Sequence, residues 1–265
     1  MEDDLEIQAS LVVGSDGSRS IVKNFAGIGS RGHSYNQRAV IASVELRSPS
    51  STAWQRFLPT GTLAVLPAHE NFATIVWSTT DFHANKLTEY SPDQFTDALN
   101  EALTAHLDPS LRTCVPKVVS SVMTPLQSDP PRISATVSHV VSFPLQLVVA
   151  EAFASKRVTL IGDSAHAIHP LAGQGMNLGM KDADFLSKHL ANGFRVGQDL
   201  GDADFLTPFN GIHRIEMCAS ILGIDMIQKM FMSKDLVVSS LRSLGMHVIN
   251  ASPELKKVVS ALASS

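Results

Sequence analysis

The residues with the clearest chemical pattern lie between Arg157 and Asn177. An apolar run there predicts a buried strand that ends at the pair Gly162-Asp163, and a loop containing proline and glycine then leads into a helix. A strand, a glycine-rich turn and a helix amino terminus together form a typical anion-binding arrangement, because the free amides of the first turn and the helix dipole both favour negative charge. The sequence therefore predicts a site for a phosphate or another anionic group at this turn.

The helix predicted after this loop carries two kinds of side chain. Its apolar and small residues recur with helical period and are expected on one buried stripe: Met176, Gly179, Met180, Ala183, Leu186 and Leu190. Its charged residues are expected on other faces: Lys181, Asp182, Asp184 and Lys188. Gly179 is expected to allow the helix to approach the sheet closely.

A second strand-and-turn pattern lies near the amino end of the sequence. Leu11 to Val13 predict a strand, Asp16-Gly17 is a common turn dipeptide, and Ser20 is expected to cap a helix. Turn formation alone explains an isolated Asp-Gly pair. Because the Gly162-Asp163 motif follows later in the chain, a functional role for the pair is favoured over a simple turn.

Together the two segments resemble two flavin-binding fingerprints of the class A FAD-dependent aromatic hydroxylases. Gly162-Asp163 is followed by Ala-His-x-x-x-Pro and Gly-Gln-Gly-Met-Asn, and Gly-Ser-Asp-Gly stands where the family commonly has Gly-Ala-Asp-Gly. The resemblance implies that Asp163 accepts hydrogen bonds from the ribityl chain of FAD, and that Asp16 helps to bind the flavin and supports access by the electron donor. The cofactor-binding residues it implies are Asp16, Gly17, Gly162, Asp163, Pro170, Gly173, Gln174, Gly175, Met176 and Asn177.

The third fingerprint of that family, an opening βαβ unit that carries Gly-x-Gly-x-x-Gly, is not present before the strand at Leu11 to Val13, where the family has it. In the family this motif holds the pyrophosphate of the dinucleotide. The resemblance therefore implies that the chain is truncated at its amino end and lacks part of the FAD-binding domain. We expect these 265 residues alone to bind FAD weakly and not to turn over.

The middle of the chain resembles one branch of the family, the ubiquinone-biosynthesis hydroxylases of mitochondria and bacteria. The resemblance rests on Ala-Trp-Gln-Arg-Phe-Leu-Pro-Thr-Gly at 53–61, on 63–67 and on 76–79. It extends from about Leu11 to Leu190 and more weakly beyond. It departs at 209–214, where Phe-Asn-Gly-Ile-His-Arg replaces the Tyr-Glu-x-x-Arg often found in the family.

This resemblance implies a monooxygenase that uses reduced FAD and O₂, through a flavin C4a-hydroperoxide, to hydroxylate the ring of a polyprenylated phenol in ubiquinone biosynthesis. No catalytic side chain is required, because the flavin carries the chemistry. It also implies an electron donor (a reductase with ferredoxin, or NAD(P)H), other ubiquinone-biosynthesis proteins, peripheral membrane contact and the matrix face of the mitochondrial inner membrane. Two alternatives stay open: a truncated non-catalytic subunit or scaffold, and a related flavin hydroxylase with another aromatic or isoprenoid substrate.

The expected fold is mixed α/β (α+β): an incomplete FAD/NAD(P)-binding Rossmann-like domain, an antiparallel-sheet substrate domain and a C-terminal helical region. The expected boundaries are 1–37 and 151–192 for the FAD-binding segments, 38–150 for the sheet domain and 193–265 for the helices. Within them we expect antiparallel strands over 38–79, a helix that is capped by Ser91-Pro92-Asp93 and runs to about Leu103, an irregular connection from Pro116 to Pro131, a strand from His139 to Leu147, and helices after Asp202.

Composition narrows the classes of partner. The formal net charge is −4 and no basic run occurs, which argues against a nucleic-acid partner. The two cysteines have no CxxC spacing, which favours a reducing compartment. The uncharged window Ile133 to Ala150 alternates polar and apolar residues, so it predicts strand rather than a membrane span.

Several single residues allow two interpretations. Asp163, His166 and His169 have a spacing seen around metals, but the strand-to-loop context favours no metal. For Trp54 and Trp77 a place in the strand core is favoured over stacking on a substrate. Arg56 is expected on a solvated face. The Met-rich helices after 220 are expected to form a core layer, with an apolar route for a prenyl tail as the alternative.

Overall fold

The computed structural model describes residues 6–104, 130–170 and 173–233, together with scattered residues after 233. The chain divides into two compact units, which are described separately. The first comprises Met1–Ala39 with Phe143–Met226, and the second comprises Val40–Ser142 with Ile227–Ser265. Most of the predicted connection from Pro116 to Pro131 lies outside the described residues, as do Leu171 and Ala172 in the flavin motif.

The elements follow in chain order. The strands are β1 (Val12–Gly14), β2 (Ser30–Leu46), β3 (Trp54–Leu58), β4 (Gly61–Pro67), β5 (Phe72–Thr80), β6 (Ile133–Thr136), β7 (Val141–Ala150), β8 (Ala154–Ser155), β9 (Val158–Leu160) and β10 (His166–Ala167). The helices are α1 (Ile21–Phe25), α2 (Asp81–Thr88), α3 (Pro92–Thr104), α4 (Gln174–Arg195), α5 (Ala203–Pro208) and α6 (Arg214–Met232). A 3₁₀ turn spans Gly162–Ser164, and a π-helical segment spans Phe209–His213.

In the first unit, both predicted strands of the fingerprints are present and are neighbours. Strand β1 lies parallel to β9, and Gly14 at the end of β1 is opposite Leu160 at the end of β9. Strand β8 lies antiparallel to β9, and β10 lies antiparallel to β7. The core of this unit is apolar and includes Leu147, Phe153, Leu160, Leu178, Leu186, Leu206, Phe209 and Ile221. Because the ends of parallel strands meet at one edge, the two fingerprint turns lie side by side.

In the second unit, β3, β4 and β5 form the predicted antiparallel sheet. Leu63 of β4 is opposite Arg56 on one side and Trp77 on the other. Trp77 is buried in the core, as expected, and Trp54 is partly buried against it. Helix α3 contributes Phe95, Leu99 and Leu103 to that core.

The start of α3 confirms the predicted cap. The amide of Gln94 donates to Ser91 Oγ at 3.3 Å, and the amide of Ser91 donates to Gln94 Oε1 at 3.0 Å. This reciprocal pair is a capping box, which satisfies amides that the first helical turn leaves free. At the other end of α3 the expectation for Arg56 is wrong, because its half-buried guanidinium donates to the Leu103 carbonyl. That carbonyl lies in the last turn of the helix, where a cation is favourable.

The window from Ile133 to Ala150 contains the two strands β6 and β7, which confirms that it is not a helical membrane span. Among the described residues, no helix combines the length and the apolar content needed to cross a bilayer. Helices α5 and α6 confirm that the chain is helical after Asp202, as far as it is described.

The predicted buried stripe of α4 is wrong in its phase. Met176 and Met180 are 77% and 64% exposed, whereas Leu178 and Leu186 are buried. Asp182, which was expected on a polar face, has no exposed surface. It lies four residues from both leucines, so all three occupy the same face of the helix.

We predict that Leu99→Ala lowers the free energy of unfolding by about 2–5 kcal/mol, because it leaves a cavity in the core beside α3. Leu99 is fully buried. The matched control is Glu101→Ala, an exposed position on the same helix, which should change the value by no more than about 0.5 kcal/mol. Urea unfolding followed by circular dichroism measures both. Equal effects would show that α3 does not pack as described.

Candidate functional site

One residue, Ile161, separates the end of β9 from the turn at Gly162–Ser164. Gly162 has a φ of +58°, a left-handed conformation that glycine adopts without a steric penalty. The amide of Ile161 donates to the Gly14 carbonyl at 3.0 Å, so the ends of β9 and β1 are joined just before the turn. The position of the turn is therefore fixed by the sheet.

Asp16 connects the two fingerprints through its carboxylate. One oxygen accepts from the amides of Ile21 and Val22 at 2.7 and 3.2 Å, and the other accepts from Ser164 Oγ at 2.9 Å. The hydroxyl of Ser20, the Val22 amide and the Ser164 hydroxyl hold the pKa of Asp16 well below its ordinary value. Ser20 also caps α1 by accepting from the Lys23 amide at 2.9 Å, as predicted. Asp16 is therefore ionised, and protein groups engage both of its oxygens.

Asp163 differs from Asp16 in its hydrogen bonding. Its side chain is exposed. It has no hydrogen bond or ion pair with any residue that the structure describes. A carboxylate held on a fixed turn with its oxygens free can accept hydrogen bonds from a ligand hydroxyl.

The amino end of α4 is open. Its cap residue, Gly173, has a φ of +61° and provides no side-chain hydrogen bond, and the first turn contains no acidic residue. A Cβ atom added at Gly173 or Gly175 would meet no atom of a described residue within 4 Å. Nearby, the Gly173 amide donates to the Pro170 carbonyl at 3.2 Å, and Asn177 Nδ2 donates to Gln174 Oε1 at 3.2 Å. The start of this 22-residue helix can therefore receive a negatively charged or electron-rich group.

A buried cluster holds the turn from the other side. Asp182 Oδ2 accepts from the Gly162 amide at 2.8 Å and from His166 Nε2 at 2.7 Å, and Oδ1 accepts from His213 Nε2 at 2.7 Å. Burial opposes ionisation of Asp182, but the hydrogen bonds from His166 and His213 outweigh it and keep its pKa below the ordinary value. The carboxylate is therefore charged, buried and fully hydrogen-bonded.

The helix and the turn are also in direct contact. A Cβ atom at Gly179 of α4 would lie 3.3 Å from the Gly162 Cα. The expected close approach at Gly179 is therefore confirmed, and its partner is the turn that follows β9.

The two histidines of the motif have partners within the protein. His166 is fully buried against Asp182. The Nε2 atom of His169 lies 3.3 Å from Gln37 Oε1, and its ring meets Tyr35 edge-on at 5.0 Å between centroids. Burial lowers the pKa of His169 to about 4, so the imidazole is neutral at physiological pH.

Sequence reasoning missed Asp182 and His213 as parts of this site. The signal for Asp182 was its spacing of four from Leu178 and from Leu186, which indicates the buried face of α4. His213 lies in the segment that departs from the family pattern, so no motif pointed to it.

Comparison with known proteins shows to which family the chain belongs. Residues 1–120 and 121–200 match a family model described as an FAD binding domain. The chain is 34% identical over 275 residues to the mitochondrial ubiquinone biosynthesis monooxygenase COQ6 of Xenopus tropicalis, covering 100% of this chain and 59% of that protein. The COQ6 protein of Homo sapiens is 33% identical over 268 residues, covering 97% of this chain and 57% of that protein. The chain thus spans less than two thirds of the relatives' length.

Solved structures of flavin enzymes have a similar fold. The p-nitrophenol 4-monooxygenase PnpA of Pseudomonas putida DLL-E4 aligns with a TM-score of 0.66 and 19% identity, over 96% of this chain and 58% of its own. The probable FAD-dependent monooxygenase pqsL of Pseudomonas aeruginosa aligns with a TM-score of 0.64 and 19% identity, over 88% of this chain and 59% of its own. At this level of identity the similarity concerns the fold.

The cluster predicts a particular loss of stability in acid. Because the pKa of Asp182 is lower in the folded chain than in the unfolded chain, its contribution is complete above the unfolded value of about 4 and is lost as the pH falls through the folded value. We expect the free energy of unfolding to fall less steeply below about pH 4 in Asp182→Asn than in the wild type. Urea unfolding at a series of pH values measures the difference.

The matched control for that measurement is Asp184→Asn on the same helix. Asp184 is exposed and pairs with Lys188 at 2.8 Å. Its pH profile should follow that of the wild type. If Asp182→Asn also followed the wild-type profile, the charge on Asp182 would not contribute to folding.

Proposed function

The chain belongs to the FAD-binding domain family, and from this we propose that it is part of an FAD-dependent monooxygenase that hydroxylates the aromatic ring of a polyprenylated phenol in ubiquinone biosynthesis. The observation that carries the proposal is the meeting of the two fingerprint turns. Asp16 of the first turn accepts from Ser164 of the second, and Asp163 stands beside that contact with its carboxylate free.

The residues present fit the flavin and ribityl part of FAD. The free carboxylate of Asp163 would accept hydrogen bonds from ribityl hydroxyls, and the open amino end of α4 would favour the electron-rich edge of the ring system. Gly173 and Gly175 leave space for a flat group beside the backbone. Asp16, Gly17, Gly162, Pro170, Gln174, Met176 and Asn177 complete the proposed set of cofactor-binding residues.

Bound FAD, once reduced, would activate O₂, so that one oxygen atom of O₂ could enter the ring and the other could leave as water. The chain itself holds the cofactor and provides fixed dipoles, which is the usual contribution of a protein to cofactor chemistry. Its electron donor would be a reductase with ferredoxin, or NAD(P)H. We assign no catalytic role to a side chain.

The names of the relatives support the substrate and the compartment. Both COQ6 proteins are ubiquinone biosynthesis monooxygenases of mitochondria, and the proposed location is the matrix face of the inner membrane, with other biosynthetic proteins as partners. Helix α6 supports contact with a prenyl tail or with lipid. Ile215, Leu222 and Met226 are 68%, 59% and 71% exposed, and their spacing of seven and four places them on one stripe.

The proposal is tested first at Asp163. Asp163→Ala removes the free acceptor without touching the bonds that hold the turn. FAD affinity should fall roughly ten- to hundred-fold, as expected for the loss of one charge-assisted hydrogen bond. Fluorescence titration of the full-length protein with FAD measures the affinity, and detection of the hydroxylated phenol measures turnover.

The control for that titration is Asp184→Ala, which removes an exposed carboxylate from α4 and should leave FAD affinity unchanged. A wild-type protein without visible flavin absorbance and without affinity for FAD would favour the alternative of a non-catalytic scaffold. Flavin binding with turnover of a different aromatic or isoprenoid compound would favour a related hydroxylase.

A second prediction concerns Gly175. Gly175→Val should abolish hydroxylation and leave most of the fold intact, because the new side chain would fill the open space beside the start of α4. The control is Gly223→Val, another helical glycine with open space around it, which makes the same change in helix propensity. Oxygen uptake and product formation measure the effect. Normal turnover in Gly175→Val would show that this loop does not face the flavin.

A further inference from the structure

We propose that Asp182, His166 and His213 form a positioning cluster that fixes the Gly162-Asp163 turn for the cofactor, without touching the cofactor itself. This inference rests on the proposed binding of FAD. It assigns a role to Asp182 and His213, which lie outside both fingerprints, and to His166, which belongs to the second fingerprint. The carboxylate of Asp182 joins the turn, β10 and the π-helical segment through three hydrogen bonds of 2.7–2.8 Å.

The bond to the Gly162 amide is the step that links the cluster to the site. A backbone amide can only donate, and Asp182 is the acceptor that it reaches. The same turn is held at its other end by the bond from Ser164 to Asp16. Asp163 lies between these two fixed residues, so the direction of its free carboxylate depends on both.

The imidazoles hold Asp182 in place. Phe185 and Phe209 stack on the His213 ring at centroid distances of 4.6 and 4.9 Å, and Phe153 packs beside His166 at 5.6 Å. These rings keep water from the cluster, which strengthens the hydrogen bonds and makes an unpaired group costly. The carboxylate is therefore confined to one geometry.

Two substitutions at Asp182 separate hydrogen bonding from charge. Asp182→Leu removes every acceptor that the Gly162 amide reaches. Asp182→Asn keeps an oxygen for Gly162 and His166, and its NH₂ group can face His213, because a neutral imidazole can turn an unprotonated nitrogen toward a donor. We expect Asp182→Leu to weaken FAD binding about ten-fold or more, and Asp182→Asn to recover most of that loss.

The measurements are FAD titration of the full-length protein, followed by flavin fluorescence and the visible spectrum, and hydrogen exchange of the Gly162 amide without FAD. Asp182→Leu should exchange this amide faster than the wild type, and Asp182→Asn should protect it. The control for lost stability is Leu99→Ala, which is placed in the core of the other unit. It should keep the wild-type FAD affinity under conditions in which it is folded.

A second variant keeps the test decisive if Asp182→Leu does not fold. Gly179→Ala places a methyl group 3.3 Å from the Gly162 Cα and leaves Asp182 untouched. Alanine forms helix better than glycine, and this gain offsets part of the steric cost of the contact. We expect weaker FAD binding together with a smaller fall in melting temperature than in Leu99→Ala, whose FAD affinity should stay at the wild-type level, a combination that a general loss of stability does not produce.

The outcomes separate this inference from the proposed function. Wild-type FAD affinity in folded Asp182→Leu and in Gly179→Ala would overturn the positioning role and leave the proposed function standing. A wild-type protein that does not bind FAD would overturn the proposed function. In that case, exchange of the Gly162 amide decides whether the cluster fixes the turn. An exchange rate in Asp182→Leu that equals the wild-type rate would overturn that role as well.

Discussion

A carboxylate removed from water must receive its hydrogen bonds from the protein. At Asp182 this requirement determines where several elements of the first unit are placed. The bonds come from a backbone amide of the Gly162 turn, from β10 and from the segment before α6. The three donors lie 16 to 31 positions from Asp182 in sequence, and none of them can shift without leaving a buried charge short of a partner. The fixed geometry of the turn follows from that constraint, together with the pairing of β1 with β9.

The two motif aspartates show how the same side chain takes two roles on neighbouring turns. Asp16 has both oxygens engaged by protein donors, and its pKa is held low by them. Asp163 is exposed and has no partner among the described residues. The resemblance assigned flavin contacts to both. The geometry supports a direct contact most clearly for Asp163, whereas Asp16 fixes the turn that presents it.

Local pattern was enough to predict elements in both units. The apolar runs and the turns after them predicted the ends of β1 and β9, which carry the site, and alternation predicted the sheet of β3 to β5. Ser91-Pro92-Asp93 marked the start of α3. All of these signals depend on neighbours in sequence. The contact of Asp16 with Ser164 spans 148 positions and has no local signal. The phase of α4 was misjudged for a related reason. Methionines near its open end are exposed, and the buried polar residue Asp182 interrupts the apolar face.

The segment Phe209–His213, where the sequence departs from the family pattern, has a defined place in the structure. It forms a π-helical segment rather than continuing α5 as a regular helix, and such segments often occur at functional sites. Asn210 Oδ1 accepts from the Phe153 amide at 2.9 Å, and Phe209 is buried. Both contacts anchor the segment so that His213 reaches Asp182. The residues that differ from the family motif are therefore integrated in the core of the unit, and they supply one of the three donors on which the position of the Gly162 turn depends.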